Sequence, residues 1–478
     1  MKNRTLFFAL STLGLALSSL PLTGCSYIKA YQARAAYAQY QEAITAGDLR
    51  QARIALLKLV RTDEDVPDYW IELGKLQIQL GDYRGAYEAF THAHELDRSN
   101  VEVLATLTQI ALMSRDIDLA SSQARTLALL APDHPVVALV RGFSAYASGD
   151  LNKAQVEADG VLANASNNSL ARILKARVLI EKNQPDDAIA LLEDQHRTVP
   201  NDAGAIRALS LIYDLRGDWR NLARIQSDAH RLDPKDPIAS QAMVEALLRS
   251  GDVAGAGRAS APLLSQAATP ELVDQILIVW TRFAPKGATL PDGLKLANAV
   301  SGERRLSFAN YYNHIGNPRA AAALLGGSQL PVTHVNAGWN AAVAQSMALQ
   351  GQIAEAKKLF DAVLDREPDQ VEALRGRSAL ESRTGQAKQA VIDAERLVTI
   401  SSKTGEDRLL LAQAYLAAGR AKEVRRTLWQ AFQELPEDER VFAALKSVLA
   451  STRDKEGEQR LNDELADRRT TKLTKELI

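Results

Sequence analysis

Alanine and proline recur along this chain in a single 34-residue register. A chain held to such a period folds as a row of like units and not around one centre. From Ala86, steps of 34 residues land on Ala120, Ala154 and Ala188, while Pro132, Pro200 and Pro234 fall on multiples of the same step. Two residue types kept in one frame have a packing cause. A small residue lets one helix lie close against another, and proline stops a helix before the next unit begins. Each unit is therefore expected to be a helical hairpin whose exposed apolar edge is covered by its neighbour. The length, 478 residues, exceeds what one ordinary core supports and agrees with a stack.

The best-formed copy runs from Pro67 to Asn100. It has Trp70, Leu73, Gly74, Ala86 and Phe90 where the tetratricopeptide repeat has its signature residues, with Gln77 in place of that pattern's Tyr and Arg98 in place of its Pro. The stretch thus resembles that family. The resemblance implies an all-α fold, a right-handed α-solenoid of helix-turn-helix repeats. Further units are expected from Val101, Pro135, Ser169, Ala203 and Pro237, turning at Gly81, Arg115, Gly149, Asn183, Gly217 and Gly251. Gly or Asn suits a turn that needs a left-handed residue, and Arg115 is the exception.

Beyond Gly251 the match weakens, and Pro234 to Pro368 is 134 residues, two short of four steps. A join between two arrays and one irregular unit both account for the slip. The organisation expected on the first account is a leader over 1–24, a tether over 25–34, and an N-terminal array over 35–263. An irregular helical junction (264–305), a C-terminal array (306–436), capping helices (437–468) and a polar tail (469–478) follow.

The leader has a basic start, Lys2 and Arg4, and an apolar run from Leu6 to Leu20, the anatomy of a secretory signal. The run is too short and too early for a transmembrane anchor. It ends in Leu22, Thr23, Gly24 and Cys25, the chain's one cysteine, and these four residues resemble the lipobox of bacterial lipoproteins. That resemblance implies cleavage before Cys25, lipidation of its thiol and acylation of the new N-terminus. Several acyl chains, at about 0.8 kcal/mol per buried CH2, hold a protein on a membrane. The same resemblance, with Ser26 and not Asp after the cysteine, implies the bacterial outer membrane, with the protein facing the periplasm. A single cysteine allows neither an internal disulfide nor a thiolate metal cluster.

Composition narrows the function. Formal net charge is −1, so the basic excess of a nucleic-acid binder is absent. Of the seven histidines, only His92 and His94 are close in sequence, and a two-residue spacing turns them to nearly opposite sides of a helix, so no metal is expected. The glycines complete no phosphate loop, and neither a nucleophile elbow nor a zinc-protease motif occurs. The chain is read as a non-enzyme without a cofactor.

Function is then expected on a surface. In the family resembled, the first helix of each repeat lines a groove through its second, fifth, ninth, twelfth and thirteenth positions. Carried onto this frame, these positions are represented early in the chain by Lys75, Gln79, Gln109, Met113, Leu139, Phe143 and Tyr146. They continue as Arg177, Glu181, Arg207 and Asp214, and later as Gln345, Arg375, Arg383 and Gln413. Phe143 and Tyr146, near Leu139 and Ile173, either anchor an apolar peptide or pack against the next unit. The partners expected are envelope proteins in the grooves and a membrane at Cys25. The chain resembles the repeat lipoproteins found with exopolysaccharide export, surface-protein sorting and pilus assembly. A second reading is a polysaccharide or small ligand held near Trp280 and Trp339, since aromatic faces suit sugars.

Overall fold

The computed structural model describes residues 21–326, 330–401 and 404–475, and within them 26 helices and no strand. The expected leader up to residue 20, and the side chains of Leu22, Thr23 and Cys25, lie outside the described residues. Among the described residues no helix is long and apolar enough to cross a membrane.

The chain divides into two compact units, one ending at Thr198 and the other beginning at Val199. The first comprises α1 (Pro21–Thr45), α2 (Leu49–Thr62), α3 (Pro67–Gln79), α4 (Tyr83–Leu96) and α5 (Val101–Met113). It continues with α6 (Ile117–Leu130), α7 (Pro135–Ala147), α8 (Leu151–Asn164), α9 (Ser169–Glu181) and α10 (Pro185–Thr198). The second opens with α11 (Ala203–Arg216), α12 (Trp219–Leu232), α13 (Pro237–Arg249), α14 (Val253–Leu263), α15 (Pro270–Phe283) and the short α16 (Gly293–Asn298). Then come α17 (Glu303–His314), α18 (Pro318–Leu324), α19 (Ala337–Leu349), α20 (Ile353–Arg366) and α21 (Val371–Arg383). The last are α22 (Ala387–Ile400), α23 (Gly405–Ala417), α24 (Ala421–Glu434), α25 (Glu439–Ser451) and α26 (Lys455–Lys475).

The hairpins begin where the register places them: α3, α5, α7, α9, α11 and α13 start at Pro67, Val101, Pro135, Ser169, Ala203 and Pro237. The register alanines Ala86, Ala120, Ala154 and Ala188 are fully buried at the crossings of second helices with first. The turns share a backbone chemistry: a left-handed residue ends the first helix, and where the next residue is Asp it caps the second by accepting a backbone N–H. Asp82 accepts from Gly85 (2.9 Å), Asp116 from Leu119 (2.9 Å), Asp150 from Lys153 (3.0 Å) and Asp252 from Gly255 (2.7 Å). Arg115 is no exception to the backbone rule, only to the residue preference: its φ is +62°, beside +75° at Gly81.

Four boundaries differ from the sequence reading. Residues 25–34 are helical, because α1 runs unbroken from Pro21 to Thr45, and Ala33 and Ala36 on it are buried in the first core. The break between units falls between α10 and α11, inside the expected N-terminal array. The irregular segment belongs to the second unit, whose core runs without interruption from Val244 through Ile276, Val279 and Trp280 of α15 to Phe308 and on to Leu410. Trp280 completes its burial by donating its indole N–H to Ser260 Oγ at 2.8 Å. The backbone of α26 continues to Lys475, where a polar tail is expected from residue 469.

Candidate partner-binding cleft

First helices supply the candidate groove residues in both units, and burial separates those that face solvent from those that do not. In the first unit Lys75 and Gln79 on α3 and Met113 on α5 are exposed, and Gln109 is half-buried. Lys75 Nζ is tied to Glu72 at 2.8 Å, and Glu72 also accepts from Tyr40 Oη at 3.0 Å. Leu139 and Phe143 are core residues, 0% and 2% exposed. Of the two readings for Phe143, packing against the neighbouring unit is the one the structure shows, because its ring lies in the cluster of Leu104, Leu112, Leu139 and Leu174. Tyr146 stays half-buried. Its ring carries the guanidinium of Arg177 at 4.3 Å and its hydroxyl donates to Glu181 at 3.1 Å. Burial pushes the Tyr146 hydroxyl up and the Arg177 guanidinium down from their ordinary pKa ranges.

An aromatic cluster at the start of the first unit escaped the sequence reading. Tyr37 lies 6.1 Å from Tyr40 and 6.2 Å from Tyr69 between ring centroids, joining α1 to α3.

In the second unit Arg207 is exposed and Asp214 half-buried on α11. Gln345, Arg375 and Gln413 are brought together from α19, α21 and α23 around one lobe of a cleft, about 360 Å³ in volume. Arg383, at the exposed end of α21, does not line it. A larger lobe of about 650 Å³ adjoins, walled by α15, α17, α21, α23 and the turn from α24 into α25. The cleft is shut at the far side because the unit's end returns to its beginning. Arg249 of α13 donates to Glu439 of α25 at 3.3 Å, Arg282 of α15 lies 3.5 Å from Asp438, and α11 packs against α26. Arg249 is itself held between the rings of Trp219 and Phe283, at 4.5 and 4.4 Å.

The wall of the larger lobe is charged. Asp274, Glu372, Glu406, Glu434, Glu437 and Asp438 face Arg282, Arg375, Arg440 and His314, with Ile278 as an exposed apolar ledge. Arg375 organises the centre: it forks onto Asp407 at 2.8 and 3.2 Å and holds Glu372 at 2.7 Å. Burial opposes its charge, but these carboxylates outweigh burial and hold its pKa above the ordinary range. Enclosure by the cleft walls, aided by Glu372, pushes the Asp274 carboxyl up. Burial would also raise Asp438, yet Arg440 and Arg282 leave it below the usual carboxylate range.

The groove rule contains most of this wall. Glu372 and Glu406 occupy second positions of their helices, Asp274 a fifth and His314 a twelfth, so the rule applied at every position finds them. What it lacks is the distance across the cleft. His92 stacks on Trp70 with centroids 4.5 Å apart, and among the described residues no group of three or more His, Cys, Asp or Glu is arranged to hold a metal. Trp280 is buried and Trp339 half-buried, so they offer no shared open face to a sugar.

Family models described as tetratricopeptide repeat match residues 67–100 and 145–211. These stretches are tetratricopeptide repeats. The chain is also similar to Cellulose synthase operon protein C of Xanthomonas axonopodis pv. citri (strain 306), 29% identical over 227 residues, which is 45% of this chain and 14% of that protein. It thus spans a small part of that relative's length. Among solved structures it is similar to a tetratricopeptide repeat protein from Parabacteroides merdae ATCC 43184, at 15% identity over 59% of this chain and 98% of the other, TM-score 0.31. It is also similar to PilW, described as a widely conserved type IV pilus biogenesis factor, at 15% identity over 44% of this chain and 95% of that one, TM-score 0.31.

Proposed function

We propose that this tetratricopeptide-repeat chain is a non-catalytic scaffold that holds an extended, positively charged segment of a partner protein in the cleft of its second unit. The carrying observation is the lobe of about 650 Å³, whose wall sets six carboxylates, Asp274, Glu372, Glu406, Glu434, Glu437 and Asp438, against three guanidiniums and His314. A wall with that excess favours cations and disfavours an acidic tail, and the Ile278 ledge offers one apolar contact. In this reading acylated Cys25 ties the protein to the bacterial outer membrane with its repeats in the periplasm. The basic start, the apolar run and the Leu22-Thr23-Gly24-Cys25 sequence support that part.

The pathway proposed is assembly of an envelope export system for exopolysaccharide, surface protein or pili. The name of the Xanthomonas relative joins it to a cellulose synthase operon, which favours the first of these. Crosslinking in intact envelopes followed by purification tests the scaffold reading. A partner recovered with the native chain and lost with Glu437→Lys or Ile278→Lys supports it; the same proteins recovered with all three chains, or none with any, sink it. Metabolic labelling with a radioactive fatty acid tests the anchor, which requires label on the native chain and none on Cys25→Ser.

A further inference from the structure

The two lobes of the cleft share one wall. Asn310, His314, Glu372, Arg375, Glu406 and Arg440 line both of them. At that wall His314 Nε2 stands 2.6 Å from Glu406 Oε1, across 92 residues of sequence. Helix α17, which ends in His314, packs against α15, α16, α18 and α19, whereas α23, which carries Glu406, packs against α21, α22, α24 and α25. Two whole hairpins, α19 with α20 and α21 with α22, separate them along the chain. The pair therefore closes a span that neighbouring-hairpin packing does not.

His314 is held in place from behind. The preceding residue, Asn313, is buried, donates to the Ala342 carbonyl at 3.0 Å and accepts from Ser346 Oγ at 2.8 Å, which fixes the end of α17 on α19. Glu406, by contrast, has a second cation within reach, since Arg375 Nε lies 4.0 Å from the same Oε1. Its choice between the two depends on the charge of His314. An imidazolium makes a charge-assisted bond, and a neutral imidazole makes an ordinary one against a permanently charged guanidinium.

We propose that the His314–Glu406 pair is a protonation-controlled gate between the two lobes, closed when His314 is charged and opened when Glu406 moves to Arg375. Opening joins the two lobes, of about 650 and 360 Å³, into one cavity. The charged groups around the pair are Asp274 and Arg282 from α15, Glu372 and Arg375 from α21, Asp407 from α23, Glu434 from α24, Glu437 from the turn after it, and Asp438 and Arg440 at the start of α25; Gln345 from α19 is neutral. The hydrogen bond with Glu406 comes first in holding His314 above the ordinary histidine range, with burial opposing it. Burial would raise Glu406, but His314 and Arg375 keep it below the usual carboxylate range. The charged pair thus exists between those two titrations, and the gate opens as pH rises through that of His314.

The opening is read on the free protein, and only its consequence for binding rests on the partner reading above. The experiment uses the full chain in detergent. Hydrogen exchange of α17 and α23, corrected for intrinsic rate, is followed from about pH 5.5 to about pH 9, together with NMR titration of the His314 ring. We expect exchange in these two helices to rise on the order of fivefold to tenfold across the His314 midpoint, the difference between a charged and a neutral hydrogen bond. Glu406→Gln should lower that midpoint toward the ordinary value and leave exchange independent of pH. Exchange that is flat in the native chain, or a His314 midpoint unmoved by Glu406→Gln, overturns the gate; the native pH series decides even where the variant fails to fold. Exchange that follows pH while no partner is captured at any pH supports the gate and removes the partner reading alone.

Discussion

A methyl group on Gly74 would stand 2.7 Å from Cε2 of Phe90. The ring on the second helix of this repeat lies on bare backbone of the first, and both residues are buried. The two signature residues are thus halves of one contact, in which the absent side chain makes room for the large one.

Gly74→Ala should consequently overpack the first unit and cost about 1–3 kcal/mol. Introduced together with Phe90→Leu, the same alanine should cost less, because the ring it meets is gone. Denaturant unfolding of the four chains of this cycle measures the coupling. Equal costs of Gly74→Ala in both backgrounds would show that the contact does not carry the effect.

The turn chemistry makes a prediction of opposite sign in the two units. Asp116→Ala removes a cap and should destabilise by about 0.5–2 kcal/mol. In the second unit Gln352 occupies the equivalent place after the left-handed Gly351 and makes no side-chain cap. Gln352→Asp should stabilise by about 1 kcal/mol, read as a raised unfolding midpoint. No gain would mean that α20 satisfies its first N–H groups by other means.

Phe143 and Tyr146 should separate in their effects. Phe143→Ala empties a buried site and should cost about 3–5 kcal/mol, which hydrogen exchange localises to α7 and its neighbours. Tyr146→Phe keeps the ring under Arg177 and removes the hydroxyl that donates to Glu181 at 3.1 Å, a net change of about 0.5–1.5 kcal/mol. A small loss for Phe143→Ala would return that residue to the list of surface contacts.

Asp274 should oppose stability at neutral pH. Its pKa is raised in the folded chain, so its charged form is disfavoured there. Its contribution to stability is full below the unfolded pKa and is lost as pH rises through the folded one. Asp274→Asn should therefore raise the thermal midpoint of the second unit at about pH 7 and flatten its dependence on pH in the acid range. The same variant should retain less partner, the pattern of a charge kept for binding at the expense of stability. An unchanged midpoint at neutral pH would show that water in the cleft solvates the carboxylate fully.

Much of the architecture was legible because its rules act within one hairpin. The 34-residue step, the burial of Ala86 and its equivalents, and the left-handed turn at Gly81 or Arg115 involve residues close in sequence, and so they leave a periodic trace. The cleft was legible in its parts only. Gln345, Arg375 and Gln413 follow from helix positions, and Glu372, Glu406 and His314 lie at positions of the same kind. Leu139 and Phe143 occupy such positions too, yet they are buried, because the helix rule assigns a side and not the depth at which a neighbouring hairpin covers it.

The sequence by itself determined the repeat, where its helices begin, and the chemistry of its turns. Only the tertiary structure decided that Arg249 meets Glu439 across 190 residues and that His314 meets Glu406 across 92. The physical reason is that curvature in a solenoid is a sum of small rotations between neighbouring hairpins. Each is set by local side-chain packing, and none leaves a periodic signal of its own. Which residues face each other across the cleft of the second unit depends on the total, and that total exists only in the folded stack.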